Sequence, residues 1–119
     1  MRHYVNIIAL ISAIINKTMI VEHESEELRL LEMDPKYGLG LIPGLAKTYR
    51  KRMQTLRSAK DVRDIYAAKG CRFEKLSGKR SHQHSIVLTA NWRLIVEIVD
   101  SDSADKEQKI RITEIVDYH

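Results

Sequence analysis

Cysteine is nearly absent from this sequence. The single thiol, Cys71, cannot close an intrachain disulfide and lacks the partner spacing of a zinc knuckle. A reducing, cytoplasmic setting is therefore expected, with Cys71 read as a small strand residue. Long apolar runs are absent too. The one apolar stretch, Ile7 to Ile15, is interrupted by Ser12 and is too short to span a bilayer, and Ile15-Asn16-Lys17-Thr18 makes a poor signal-peptidase site. No internal repeat, low-complexity segment or helix-turn-helix pattern is present, so direct DNA reading is not expected. Acidic residues are scarce in one region: between Gly44 and Arg93 thirteen basic residues face three acidic ones, a local charge of +10, whereas the remainder holds seven against thirteen, or −6. A separation of this size points to a polyanion partner, most simply nucleic acid.

At 119 residues, 44% hydrophobic and 30% charged, the chain suits one globular domain. Met19 to Glu22 reads as a first strand and Glu24 to Met33 as a helix with Leu28, Leu31 and Met33 inward, stopped at Asp34-Pro35. The segment GLGLIPG, Gly38 to Gly44, has no apolar strand before it and no acidic ribose partner after it, so it is a connector and not a dinucleotide loop. In the helix expected over Pro43 to Ser58, Leu45, Tyr49, Met53 and Leu56 form one stripe, with Lys47, Arg50, Lys51 and Arg57 on the outer surface. A short helix, Lys60 to Ala68, follows. Strands are then predicted over Cys71 to Leu76, Gln83 to Thr89, Trp92 to Val99 and Lys109 to Val116, joined by short polar turns. Tight turns imply an antiparallel meander with the helices on one side, an α+β arrangement. Residues 1–18 read as an N-terminal extension, either a start codon placed too early or a short packed helix, with the domain proper over 19–119.

The tract GCRFEKLSGKRSHQHSIVLTANWRLIVEIV, followed after an acidic loop by KIRITEIVDYH, resembles the HigB branch of the RelE/ParE toxin superfamily, the plasmid maintenance killer family. The resemblance rests on several features in one order: Gly70 and Arg72, Glu74-x-Leu76-x-Gly78, Gln83-His84-Ser85-Ile86, Trp92-Arg93 and the final Asp117-Tyr118-His119. The tract departs from the family pattern at Ala68-Lys69, at His82 and in the longer acidic loop Asp100 to Gln108. The resemblance implies a RelE-like microbial ribonuclease fold, an N-terminal strand and two to three helices packed on a twisted antiparallel sheet, with a basic concave face. It implies metal-independent cleavage of mRNA in the ribosomal decoding site and a neighbouring helix-turn-helix, HigA-like antitoxin, through which alone operator DNA is bound. No cofactor and no membrane partner are implied.

RNA cleaves without metal when its 2′-hydroxyl attacks the adjacent phosphorus. An enzyme then has to move protons and stabilise charge on the phosphate. Arg93 suits the phosphate, since a guanidinium fork holds two oxygens and stays charged. His119 suits proton transfer, with Tyr118 and Asp117 beside it to position the imidazole. Glu74 reads equally as a second base or as a strand carboxylate paired with Arg72 or Lys75. Lys47, Arg50, Lys51, Arg57, Arg72, Lys75, Lys79, Arg80 and His84 are the expected RNA contacts. His82-x-His84 lacks a convincing third ligand, so no metal site is expected. Two other classes stay open: a non-catalytic RNA- or ribosome-binding module, and a transcriptional co-regulator acting only with an antitoxin.

Overall fold

The computed structural model describes residues 4, 6–100 and 108–118. Its order is α1 (Ile7–Asn16), β1 (Ile20–His23), α2 (Glu26–Met33), α3 (Pro43–Ser58), α4 (Val62–Ala67), β2 (Glu74–Lys75), β3 (Gln83–Val87), β4 (Trp92–Asp100) and β5 (Gln108–Asp117). The helix starts follow local chemistry. Asn6 Oδ1 accepts from Ala9 N at 3.1 Å, Ser25 Oγ from Leu28 N at 3.2 Å, and Asp61 Oδ1 from Arg63 N at 2.9 Å. Pro43 opens α3, where its missing N–H costs nothing.

The five strands form one sheet in the order β1-β5-β4-β3-β2. From β2 to β5 the pairings are antiparallel, as the turns predicted. The sheet as a whole is mixed, not antiparallel, because β1 lies parallel to β5, with Ile20 opposite Lys109 and His23 opposite Ile112. No turn joins these strands, so nothing local in the sequence announces their pairing.

Leu45, Tyr49, Met53 and Leu56 of α3, Leu28 and Leu31 of α2 and Ile65 of α4 pack on Ile86, Leu94, Val96, Ile110 and Ile112 of the sheet. Met33 is 36% exposed and takes no part in this core, contrary to the expectation. Alternation turns Arg93, Ile95 and Glu97 to the other face of β4. Thr113 is the extra residue of a β-bulge: Ile95 faces Glu114 but Val96 faces Ile112. Its hydroxyl donates to the Ile95 carbonyl at 2.8 Å. The bulge lets β5 put Ile110 and Ile112 inward and, past it, Ile115 opposite Leu94.

The strand expected over Cys71 to Leu76 shrinks to Glu74–Lys75. Residues Lys69–Cys71 form a 3-10 turn and Arg72 adopts φ 44°, a left-handed conformation that ends extended pairing. Arg52 reaches across from α3, and its Nε donates to the Val87 carbonyl at 2.8 Å. That satisfies a group a longer β2 would have bonded.

Candidate active site

The start of β4 and the end of β5 meet at one corner of the sheet, where Trp92 pairs with Asp117 and Arg93 with Val116. The ladder continues one step further, since Tyr118 N donates to the Asn91 carbonyl at 2.5 Å. The turn before β4 is held by Leu88 N to Trp92 O at 3.0 Å and by Trp92 N to Thr89 Oγ1 at 3.3 Å. Into this frame folds the side chain of Arg93. Its Nη1 donates to the carbonyls of Thr89, Ala90 and Trp92 at 2.8, 3.2 and 3.1 Å. Its guanidinium carbon lies 5.3 Å from the centre of the Tyr118 ring, a cation–π contact. The charge is thus fixed through one nitrogen and one ring, on a paired strand rather than a loose loop. Tyr118 is 47% exposed and Asp117 is also at the surface. His119 lies outside the described residues.

Glu74 is exposed and sits opposite Ser85, which in turn faces Ile95. That register turns Glu74 to the same sheet face as Arg93, two strands and one row away, about 12 Å by strand spacing and rise. The two side chains are brought to one face but not into contact. Neither Arg72 nor Lys75 forms an ion pair with Glu74 among the described residues.

Several of the expected RNA contacts have other partners. Arg50 is not free on the outer surface of α3. Its Nε donates to Leu31 O at 2.8 Å and its Nη2 to the carbonyls of Asp34 and Tyr37 at 3.3 and 2.8 Å. The guanidinium thereby caps the last turn of α2, where carbonyls lack helical partners. Arg57 is likewise committed: it forms a two-bond ion pair with Glu32, whose Oε1 also bonds His23 Nε2 at 2.8 Å. His23 is fully buried. Burial pushes the Glu32 pKa up, but the bonds from His23 and Arg57 outweigh this and hold it below its ordinary value.

Lys47 and Lys51 remain exposed on α3. Because α3 packs on the inner face, they lie on the opposite side of the sheet from Arg93. Arg72, Lys75 and Lys79 are exposed near the β2–β3 edge, while Arg80 bonds Gln83 Oε1 at 2.8 Å and Glu114 Oε1 at 2.6 Å. His84 is turned to the inner side, its ring stacked on Phe73 with centroids 4.5 Å apart and planes 9° apart. Burial, and then the nearby charge of Lys75, lower its pKa. Tyr66 meets Phe73 edge-on at 4.8 Å.

The face bearing Arg93 is not uniformly basic. Four residues along β4, Glu97 accepts from Arg111 Nη1 at 3.1 Å; Arg111 Nε also bonds Glu22 at 2.9 Å and lies 3.8 Å from Glu24. His82 Nε2 stands 3.4 Å from Glu97. This ladder of carboxylates around one arginine was not foreseen, since it depends on the parallel β1–β5 register. Arg52 was also missed. Among the described residues no three His, Cys, Asp or Glu side chains gather as a metal-ligand set, and no helix is long and apolar enough to cross a membrane.

The corner offers an arginine fork fixed by backbone carbonyls and an aromatic ring beside it, while Asp117, paired with Trp92, is turned by alternation to the opposite face of the sheet from Arg93. An arginine so held can bind a phosphate and stabilise charge developing on it. The chain matches no protein-family profile, and no curated protein is significantly similar to it.

Proposed function

We propose that this protein is a RelE-like endoribonuclease toxin of the HigB type, cutting mRNA on the ribosome in the cytoplasm and neutralised by a helix-turn-helix antitoxin. The observation that carries the reading is the meeting of Arg93 and Tyr118 at the β4–β5 corner, with Asp117 before Tyr118 in the strand and His119 next in sequence. These are the residues through which the chain resembles that family. In the proposed reaction the 2′-oxygen of one nucleotide bonds to its own phosphorus and the bond to the 5′-oxygen of the next breaks, leaving a cyclic phosphate and a 5′-hydroxyl. The 2′-proton leaves to a base, for which His119 and Glu74 are the candidates, and the departing oxygen gains one. Arg93 holds the phosphate as its charge grows.

The site carries one ring and one fixed arginine, which gives little means to align a flexible strand by itself. Alignment is worth about 7–11 kcal/mol when supplied, and in this reading the ribosome supplies it. Brief induction in growing cells followed by primer extension tests the proposal. New 5′ ends confined to translated regions are the expected result; unchanged transcripts in growth-arrested cells would overturn it. Purified mRNA without ribosomes is expected to be cut only weakly.

A further inference from the structure

Helix α1 contains no charged residue and is apolar around most of its circumference. A helix of that composition is ordinarily covered on all sides. Its own domain covers one flank: Ala13 is 6% exposed. Both ends are pinned, by the Asn6 cap and the backbone bridge from Tyr4 to His23 at one end and by left-handed Lys17 at the other. The outward flank is bare. Ile7, Ile8, Ile11 and Ile15 are 70, 81, 51 and 73% exposed. Residues 7, 11 and 15 follow one another at single-turn spacing, and Ile8 lies three before Ile11, so the four make a continuous stripe.

We propose that this stripe is a homodimer interface, occupied by α1 of a second copy packed antiparallel across a twofold axis near Ile11. Charge favours this occupant. The helix bears no ionised group, so self-contact brings no like charges together, and antiparallel packing opposes the two helix dipoles. A lipid surface would ask for a polar face rich in Lys and Arg, which α1 does not have. Area favours it as well. The exposed isoleucine surface is on the order of 500 Å² per copy, and two copies bury roughly 1,000 Å², the level at which specific interfaces begin. Beside the stripe, Ile8, Ala9 and Met33 border a cleft of about 590 Å³ whose other wall is polar, formed by Glu32, Arg50, Gln54 and Arg57. The polar wall confines the apolar contact to the isoleucine stripe itself.

Sedimentation velocity on the full chain, without lipid or detergent, tests the proposal. The wild type should sediment as a dimer at about 100 µM, and the pair Ile8→Lys with Ile11→Lys should weaken association at least about 100-fold. Both positions are exposed, so the variant's melting temperature should stay within a few degrees of the wild type's monomeric limit at high dilution. As a second measurement, Ile11→Cys should give a disulfide-linked dimer under mild oxidation, since Cys71 is buried. A wild type that is monomeric at this concentration, or a lysine variant that dimerises as before, would overturn it. So would an Ile11→Cys chain that stays uncrosslinked.

Discussion

Replacing Glu32 with glutamine should destabilise this protein more than any single change among its exposed charges. The carboxylate side chain is 9% exposed and serves Arg57, 23% exposed, and His23, fully buried. Glutamine keeps the volume but loses the charge and one of the acceptor oxygens, leaving Arg57 with an unmatched partner and His23 with a competitor. Breaking a fully buried pair costs about 3–5 kcal/mol, and the partial exposure of Arg57 reduces this to about 2–4 kcal/mol. For a chain of this size each kcal/mol moves the midpoint by about 4 °C, so Tm should fall by about 8–16 °C. Thermal unfolding followed by circular dichroism measures this. A double-mutant cycle with Arg57→Gln should then return a coupling of at least about 1 kcal/mol. The sign with pH is also fixed. The folded pKa of Glu32 lies below its ordinary 4.5, so its contribution is complete above that value and is lost as pH falls through the lower, folded pKa. The wild type should therefore lose its advantage over Glu32→Gln under acid. A Glu32→Gln midpoint within about 1 °C of wild type at neutral pH would refute the reasoning.

Two further predictions concern groups first expected to touch RNA. Arg50→Ala should cost about 2 kcal/mol by uncapping α2, whereas Lys51→Ala, one residue away and exposed, should stay within about 0.5 kcal/mol; equal effects in denaturant melts would contradict the cap. His84 has a folded pKa below 6.5, so its neutral ring stabilises fully above that pH and progressively less below it. His84→Phe, which preserves the stack on Phe73, should flatten that part of the stability–pH curve, and an unchanged slope would exclude His84 as its source.

The elements most legible in the sequence were those with local signals. The stripe Leu45, Tyr49, Met53 and Leu56 has helical period, and α3 runs from Pro43 to Ser58 as predicted. The hairpin from β3 to β4 is announced by Ala90-Asn91 between two β-rich runs. What stayed hidden depends on distant partners. The β1–β5 pairing joins residues about ninety apart in sequence, and no periodicity encodes it. The lost strand at Cys71 turns on one left-handed residue, Arg72, and on the arm of Arg52.

The candidate site was legible in part for the same reason. Arg93 and Tyr118 are near the ends of adjacent antiparallel strands consecutive in sequence, so predicting the meander was enough to bring them together. The basic helix misled because a helical projection fixes where a Cα points and not where a long side chain ends. Arg50 and Arg57 leave the outer surface and fold back onto α2. The positive segment Gly44 to Arg93 is thereby divided between two sides of the sheet.

The most direct test is the rate of mRNA cleavage in a purified translation system, wild type against Arg93→Ala. Arg93 is held by three carbonyls and a tyrosine ring, and loss of one preorganised donor costs about 100- to 1,000-fold in rate. The wild type should cut a translated message within its coding region. Arg93→Ala should cut about 100- to 1,000-fold more slowly while still binding ribosomes. A wild type that leaves the translated message intact, or an Arg93→Ala protein that cuts at the wild-type rate, would contradict the account.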